Sequence, residues 1–208
     1  DYEPIIEMAH RRGVCVMVDN TFGCGGYLFR PIEWGANVVI HSATKWICGH
    51  GTSLGGVVVD GGNFEWSEEK YPLLAAPAES YHGLVYKEVF GNAAFAGRVR
   101  VDGLRNFGPS ASPFNSFLML QGLETLSLRA QRCCDNTLAL AQWLEGHEAI
   151  VSVNYPGLKS NPYHTLACKY LQHGFGGVLT FRVKSGFEGA AELVSKLELI
   201  LHVGSVGD

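Results

Sequence analysis

The sequence has no long apolar run: its uninterrupted hydrophobic stretches fall far short of the roughly 18 residues of a membrane-spanning helix. No signal peptide is evident either. A lysine/arginine tract is also missing, and with 16 basic and 20 acidic residues interspersed, the formal charge is only −4. That balance gives no electrostatic footprint for nucleic acid or for an anionic membrane surface, so small molecules and sister subunits are the expected partners. CxxC pairs are absent too. The six cysteines (Cys15, Cys24, Cys48, Cys133, Cys134, Cys168) follow no regular spacing. They indicate neither a metal site nor a disulfide framework, and they suit a reducing compartment, the cytoplasm. Charged residues make up only 17% against 47% hydrophobic, which is ample for one buried core and part of a second. The 26 glycines cluster at turns and form no repeat.

What is present alternates between helix and strand. Residues 4 to 12 carry Ile5, Ile6, Met8 and Ala9, then a positive end at His10-Arg11-Arg12, with Gly13 as the cap of a helix. Val14-Cys15-Val16-Met17-Val18 reads as a strand of a parallel sheet covered on both faces. Pro31 to Gly35 reads as a short helix and Asn37 to Ile40 as the next buried strand. A further strand ends at Asp60. Residues 63 to 115 read as ordered loops with one or two short helices. Residues 112 to 146 read as one long helix or two nearly collinear ones, capped by Ser112 and stopped at Gly146. Strands at Ile150 to Val153 and Gly177 to Val183, with helices over Thr165 to Gln172 and Phe187 to Leu201, complete the pattern.

This is an α/β chain with a mostly parallel sheet, and residues 1 to 146 and 147 to 208 read as parts of two domains. Both ends look cut. Asp1-Tyr2-Glu3-Pro4 enters a helix without an initiator methionine, and Gly204 to Asp208 stops within a turn-like segment.

The chemistry concentrates at two strand ends. Asp19 ends the first strand, in Val18-Asp19-Asn20-Thr21, and Lys45 follows the second, in His41-Ser42-Ala43-Thr44-Lys45. In open α/β sheets ligands collect outside the carboxyl ends of strands, so both residues fall on the functional edge. The set matches a pyridoxal 5'-phosphate (PLP) site: a lysine amine to bond the cofactor aldehyde, a carboxylate to keep the pyridine nitrogen protonated, and two hydroxyls for the phosphate. Plainer readings exist for each. A lysine after a strand is ordinarily solvated, Ser42 and Thr44 can cap a helix, and Asp19 can make an Asx-turn with Thr21. Capping and phosphate contact are compatible, because a helix start is where a phosphate binds well. His41 and His50 flank the lysine, but no carboxylate or second ligand lies at helical spacing from them, so no metal is indicated.

The runs Val18-Asp19-Asn20-Thr21-Phe22, His41-Ser42-Ala43-Thr44-Lys45-Trp46, Gly49-His50-Gly51 and Gln121-Gly122-Leu123-Glu124-Thr125-Leu126-Ser127-Leu128-Arg129 resemble the Cys/Met-metabolism family of PLP-dependent enzymes. The resemblance spans the whole chain. The segment from Gly56 to Trp66, followed by Ser80-Tyr81-His82-Gly83, looks like the O-acetylhomoserine sulfhydrylase branch.

The resemblance implies a fold-type-I PLP-dependent transferase (aspartate-aminotransferase-like). Residues 1 to 146 would be part of the PLP-binding large domain, and residues 147 to 208 the start of the C-terminal small domain. It implies Lys45 as the catalytic, cofactor-bonded lysine, Asp19 on the pyridine nitrogen, Ser42 and Thr44 on the phosphate, and Ser205 on the substrate. The reaction it implies is γ-replacement of O-acetyl-L-homoserine by sulfide or methanethiol, giving homocysteine or methionine with acetate, in a homodimer or homotetramer. The ring-stacking aromatic, the glycine-rich phosphate loop and the carboxylate-binding arginine of the family would lie outside the chain, which would cover about half of a full-length member. Two alternatives stay open: γ-elimination by the same lysine chemistry, and a non-catalytic fragment or dimerisation module.

Overall fold

Local sequence signals account for the first helix and its end. A computed structural model describes residues 1–207. Helix α1 (Tyr2–His10) buries Ile6, and its last turn closes where the Gly13 N–H donates to the His10 carbonyl (2.8 Å) with Gly13 at φ +61°. Glycine fits there because a side chain at that φ is strained. The helix begins two residues before the expected start and ends two before the expected stop.

Strands β1 (Met17–Asp19), β2 (Val38–Ser42) and β3 (Gly56–Asp60) form one sheet in the order β1-β2-β3. β1 runs parallel to β2, with Asp19 opposite Ile40, and β3 runs antiparallel to β2, with Ser42 opposite Gly56. The first strand is shorter than Val14 to Val18 because side chains take the place of ladder bonds at its start. The Cys15 N–H donates to the Tyr71 hydroxyl (2.7 Å) and the Val16 N–H to Asn37 Oδ1 (2.8 Å). Coverage on both faces also fails for this strand. Val38 and Val39 of β2 are buried, but Met17 of β1 is 49% exposed and Val58 of β3 50% exposed, and β1 and β3 are the edge strands among the described residues.

The stretch after the sheet is more helical than one or two short helices. It contains Pro72–Ala75, Tyr86–Phe90 and Ala94–Arg98, joined by tighter and wider turns through Phe107. Trp66, Leu74, Tyr86 and Ala94 form its buried cluster. Two helices cover the expected stretch, α2 (Pro113–Glu124) and α3 (Leu126–Glu145), separated at Thr125. Ser112 caps α2 by accepting from the Phe114 N–H (3.2 Å), with Pro113 in the first helical turn where its missing N–H costs nothing. Gly122 of α2 lies so near the Lys45 turn that a Cβ there would come within 2.0 Å of the Cys48 carbonyl oxygen.

A second, antiparallel sheet pairs β4 (Ile150–Asn154) with β5 (Thr180–Val183), and α4 (His164–Tyr170) lies between them in sequence. Ala141 of α3 packs with Tyr155 and Leu158 in a shared buried cluster. The last helix, α5, covers Gly186–Ser195 and stops short of the expected Leu201. Beyond it Leu199 is 94% exposed, so the apolar spacing of that tail finds no surface to pack on among the described residues, and the spacing alone does not hold a helix. No helix among the described residues is long and apolar enough to cross a membrane.

Candidate active site

Asp19 ends β1 beside β2, and its carboxylate is fixed by the residue two positions on. Asp19 Oδ1 accepts from the Thr21 N–H (3.0 Å) and from the Thr21 hydroxyl (2.6 Å), so the Asx-turn is present. The same Thr21 oxygen accepts from the Ser42 N–H (2.9 Å). One hydroxyl therefore ties the end of β1 to the end of β2. The Thr21 hydroxyl first, then the Thr21 amide and the nearby His41, hold the Asp19 carboxyl below its ordinary pKa. Asp19 stays ionised at neutral pH, as a partner for a protonated pyridine nitrogen must.

Lys45 stands in the turn that follows β2. Its N–H donates to the Ser42 carbonyl (3.3 Å), the Cys48 N–H to Ala43 (2.8 Å) and the Gly49 N–H to Lys45 (2.9 Å). Ala43, Trp46, Ile47 and Cys48 are buried around it, which leaves Lys45 half-buried on a rigid support. The Thr44 hydroxyl accepts from the Gly55 N–H (3.1 Å) and donates to the Gly55 carbonyl (3.3 Å), pinning this turn to the entry of β3. Ser42 is half-buried at the strand end, level with Gly56 across the sheet.

His41 is buried, and its Nδ1 has no hydrogen-bond partner among the described residues. Burial pushes its pKa down, opposed by the Asp19 carboxylate and the Asn20 backbone, so the ring is neutral at pH 7. A cleft of about 400 Å³ opens beside Asp19, lined also by Asn20, Phe22, Gly23 and Gly177. Lys45 does not line it.

Ser205 is half-buried in the C-terminal segment, and that segment is brought to the Lys45 turn. Val206 packs on the cluster containing Trp46, Leu126 and Ala130, and the Gly207 carbonyl accepts from Arg129 (3.0 Å). Sequence reasoning singled out Asp19, Ser42, Thr44, Lys45 and Ser205 but gave no site role to Thr21 or Arg129. The signal for Thr21 was its place two residues after a strand-end aspartate; nothing local in sequence marks Arg129.

The residues present fit PLP. An ionised carboxylate and a half-buried lysine stand at the carboxyl ends of neighbouring parallel strands, with the hydroxyls of Ser42 and Thr44 just before the lysine. Comparison with known proteins agrees. The family model described as "Cys/Met metabolism PLP-dependent enzyme" matches residues 1–208. The chain is 50% identical over 208 residues to O-acetyl-L-homoserine sulfhydrylase 1 of Thermus thermophilus, covering 100% of this chain and 49% of that protein. It is 51% identical over 210 residues to homocysteine synthase of Schizosaccharomyces pombe, covering 100% and 49%. A Campylobacter jejuni crystal structure carrying N'-pyridoxyl-lysine-5'-monophosphate superposes with a TM-score of 0.93 at 35% identity, covering 100% of this chain and 50% of that one. The fold is therefore that of these PLP-dependent enzymes, and the chain spans about half the length of the relatives it matches.

Proposed function

The chain belongs to the Cys/Met metabolism PLP-dependent enzyme family, and from that premise we propose that its protein catalyses γ-replacement on O-acetyl-L-homoserine. Sulfide, or methanethiol, displaces acetate to give homocysteine, or methionine. The observation that carries this reading is the 50% identity to O-acetyl-L-homoserine sulfhydrylase 1 across the whole chain.

Bound PLP supplies an aldehyde carbon that captures amines and a ring that drains charge from the substrate Cα. The residues of this chain do the rest. Lys45 would bond the aldehyde carbon and, once the substrate amine has replaced it there, would take the Cα proton and help move one off Cβ, whose electron pair lets acetate leave Cγ; after sulfide or thiol adds at Cγ, protons return to Cβ and Cα. Asp19 holds the proton on the pyridine nitrogen, and its bonds from Thr21 keep it charged for that task. Ser42 and Thr44 donate to the phosphate; Thr44 does so by giving up its long 3.3 Å contact to the Gly55 carbonyl. Ser205 contacts the substrate. Residues 1 to 146 form part of the cofactor-binding large domain and 147 to 208 the beginning of the small one, in a cytoplasmic homodimer or homotetramer.

Product analysis tests the assignment. Full-length protein supplied with PLP, O-acetyl-L-homoserine and sulfide should form homocysteine and acetate in equal amounts, with the yield set by sulfide. Formation of 2-oxobutyrate and ammonia independent of sulfide would instead assign elimination. No turnover with either thiol donor would leave a binding module.

A further inference from the structure

We propose that Arg129 is a positioning residue that holds the Lys45 turn and the Ser205 segment together, so that the cofactor-bonding amine and the substrate-side segment are set by one guanidinium. This deepens the proposed function and rests on it. Arg129 is half-buried on α3, and its three nitrogens reach three separate parts of the chain. Nη2 donates to the carbonyl of Trp46, the residue after Lys45 (2.9 Å), and to the carbonyl of Gly122 at the end of α2 (2.8 Å). Nη1 donates to the carbonyl of Gly207 (3.0 Å), and Nε donates to the Thr125 hydroxyl (3.1 Å). Seventy-eight residues separate Arg129 from Gly207 and 83 separate it from Trp46, so these are tertiary ties.

The packing shows that the guanidinium fills a made space. A Cβ on Gly49, at the far end of the Lys45 turn, would lie 2.3 Å from Arg129 Cζ. One on Gly207 would lie 2.7 Å from Trp46 Cδ2 and 2.9 Å from its Cα. The turn is thus clasped with Arg129 and Gly122 on the helix side and Gly207 against Trp46, and only glycine allows each close approach. All four acceptors are neutral oxygens. Arg129 forms no ion pair among the described residues, so its fixed fork of donors is used for geometry and not for charge neutralisation. A lysine has donors but cannot spread them over three diverging carbonyls. Displacement of a reacting group by about 1 Å costs on the order of 100-fold in rate, which sets the expected scale.

The test compares R129K and R129A with the parent full-length protein. Two readouts do not need turnover: amide hydrogen exchange of peptides covering 46–49 and 203–207, and circular dichroism of the bound-cofactor band. In both variants the two peptides should lose protection together while the rest of α3 keeps its own. The cofactor band should weaken, and kcat should fall about 100-fold, with methylguanidinium restoring part of the R129A loss. Parental exchange at both peptides in R129K, or a uniform rise in exchange across the protein, would overturn the role. The parent is also reduced with borohydride to trap PLP. A parent lacking a Lys45 adduct would refute the functional reading and the proposal with it; a parent with the adduct beside unchanged variants would refute the Arg129 role alone.

Discussion

Replacing Thr21 by valine keeps the shape of the side chain and removes the oxygen that joins the two strand ends. Two interactions go: the 2.6 Å bond donated to Asp19 and the 2.9 Å bond accepted from the Ser42 N–H. The first is charge-assisted but lies at an exposed carboxylate, so solvent reduces it to about 1 kcal/mol. The second leaves a half-buried amide without a partner, at a cost of about 1–2 kcal/mol. T21V should therefore lose about 2–3 kcal/mol, or roughly 5–10 °C in Tm for a domain of this size, whereas T21S should stay close to the parent. The pH dependence is fixed in sign. Thr21 lowers the Asp19 pKa, so its contribution is complete above the ordinary value of 3.8 and disappears as pH falls through the folded value. The gap between parent and T21V should thus be widest at neutral pH and narrow in acid, leaving only the Ser42 share. Carbon-detected NMR titration of Asp19 should find its pKa raised in T21V. Equal Tm values for T21V and T21S, with an unmoved Asp19 titration, would refute the bridge.

Further outcomes follow from the surroundings of Lys45. Gly122→Ala places a methyl 2.0 Å from the Cys48 carbonyl oxygen and 2.5 Å from that of Ile47, both backbone atoms, so it should cost about 1–3 kcal/mol or more and loosen cofactor retention in equilibrium dialysis. A parental Tm would mean that α2 does not press on this turn. His41 has its pKa lowered below 6.5 chiefly by burial, so the unfolded chain binds more protons there and stability should fall as pH drops below 6.5. Urea midpoints at pH 5, 6 and 7 should slope less for His41→Asn than for the parent; identical slopes would remove His41 as the cause.

The elements most legible in sequence were those in which one local signal decides the outcome. Pro113 after Ser112 fixes a helix start, and the strand that ends in aspartate pairs in parallel with the one that runs into Ser-Ala-Thr-Lys, as expected of a mostly parallel sheet. Less legible was anything decided by distant partners. β1 loses two residues to the Tyr71 hydroxyl and the Asn37 amide, which no window around Val14 contains. The antiparallel course of β3 follows from pairing with β2, and hydrophobic runs carry no direction. The tail after Ser195 has helical spacing but no surface to cover among the described residues, so α5 stops early. Arg129 is the clearest case: its three carbonyl acceptors lie 7, 78 and 83 residues away, and only the folded chain brings them together.

The central claim is that Lys45 bonds PLP. Full-length protein equilibrated with PLP, reduced with borohydride and digested for mass mapping should carry the phosphopyridoxyl mass on the peptide containing Lys45, and Lys45→Ala should abolish it. An adduct on a different lysine, or no adduct in the parent, would contradict the account.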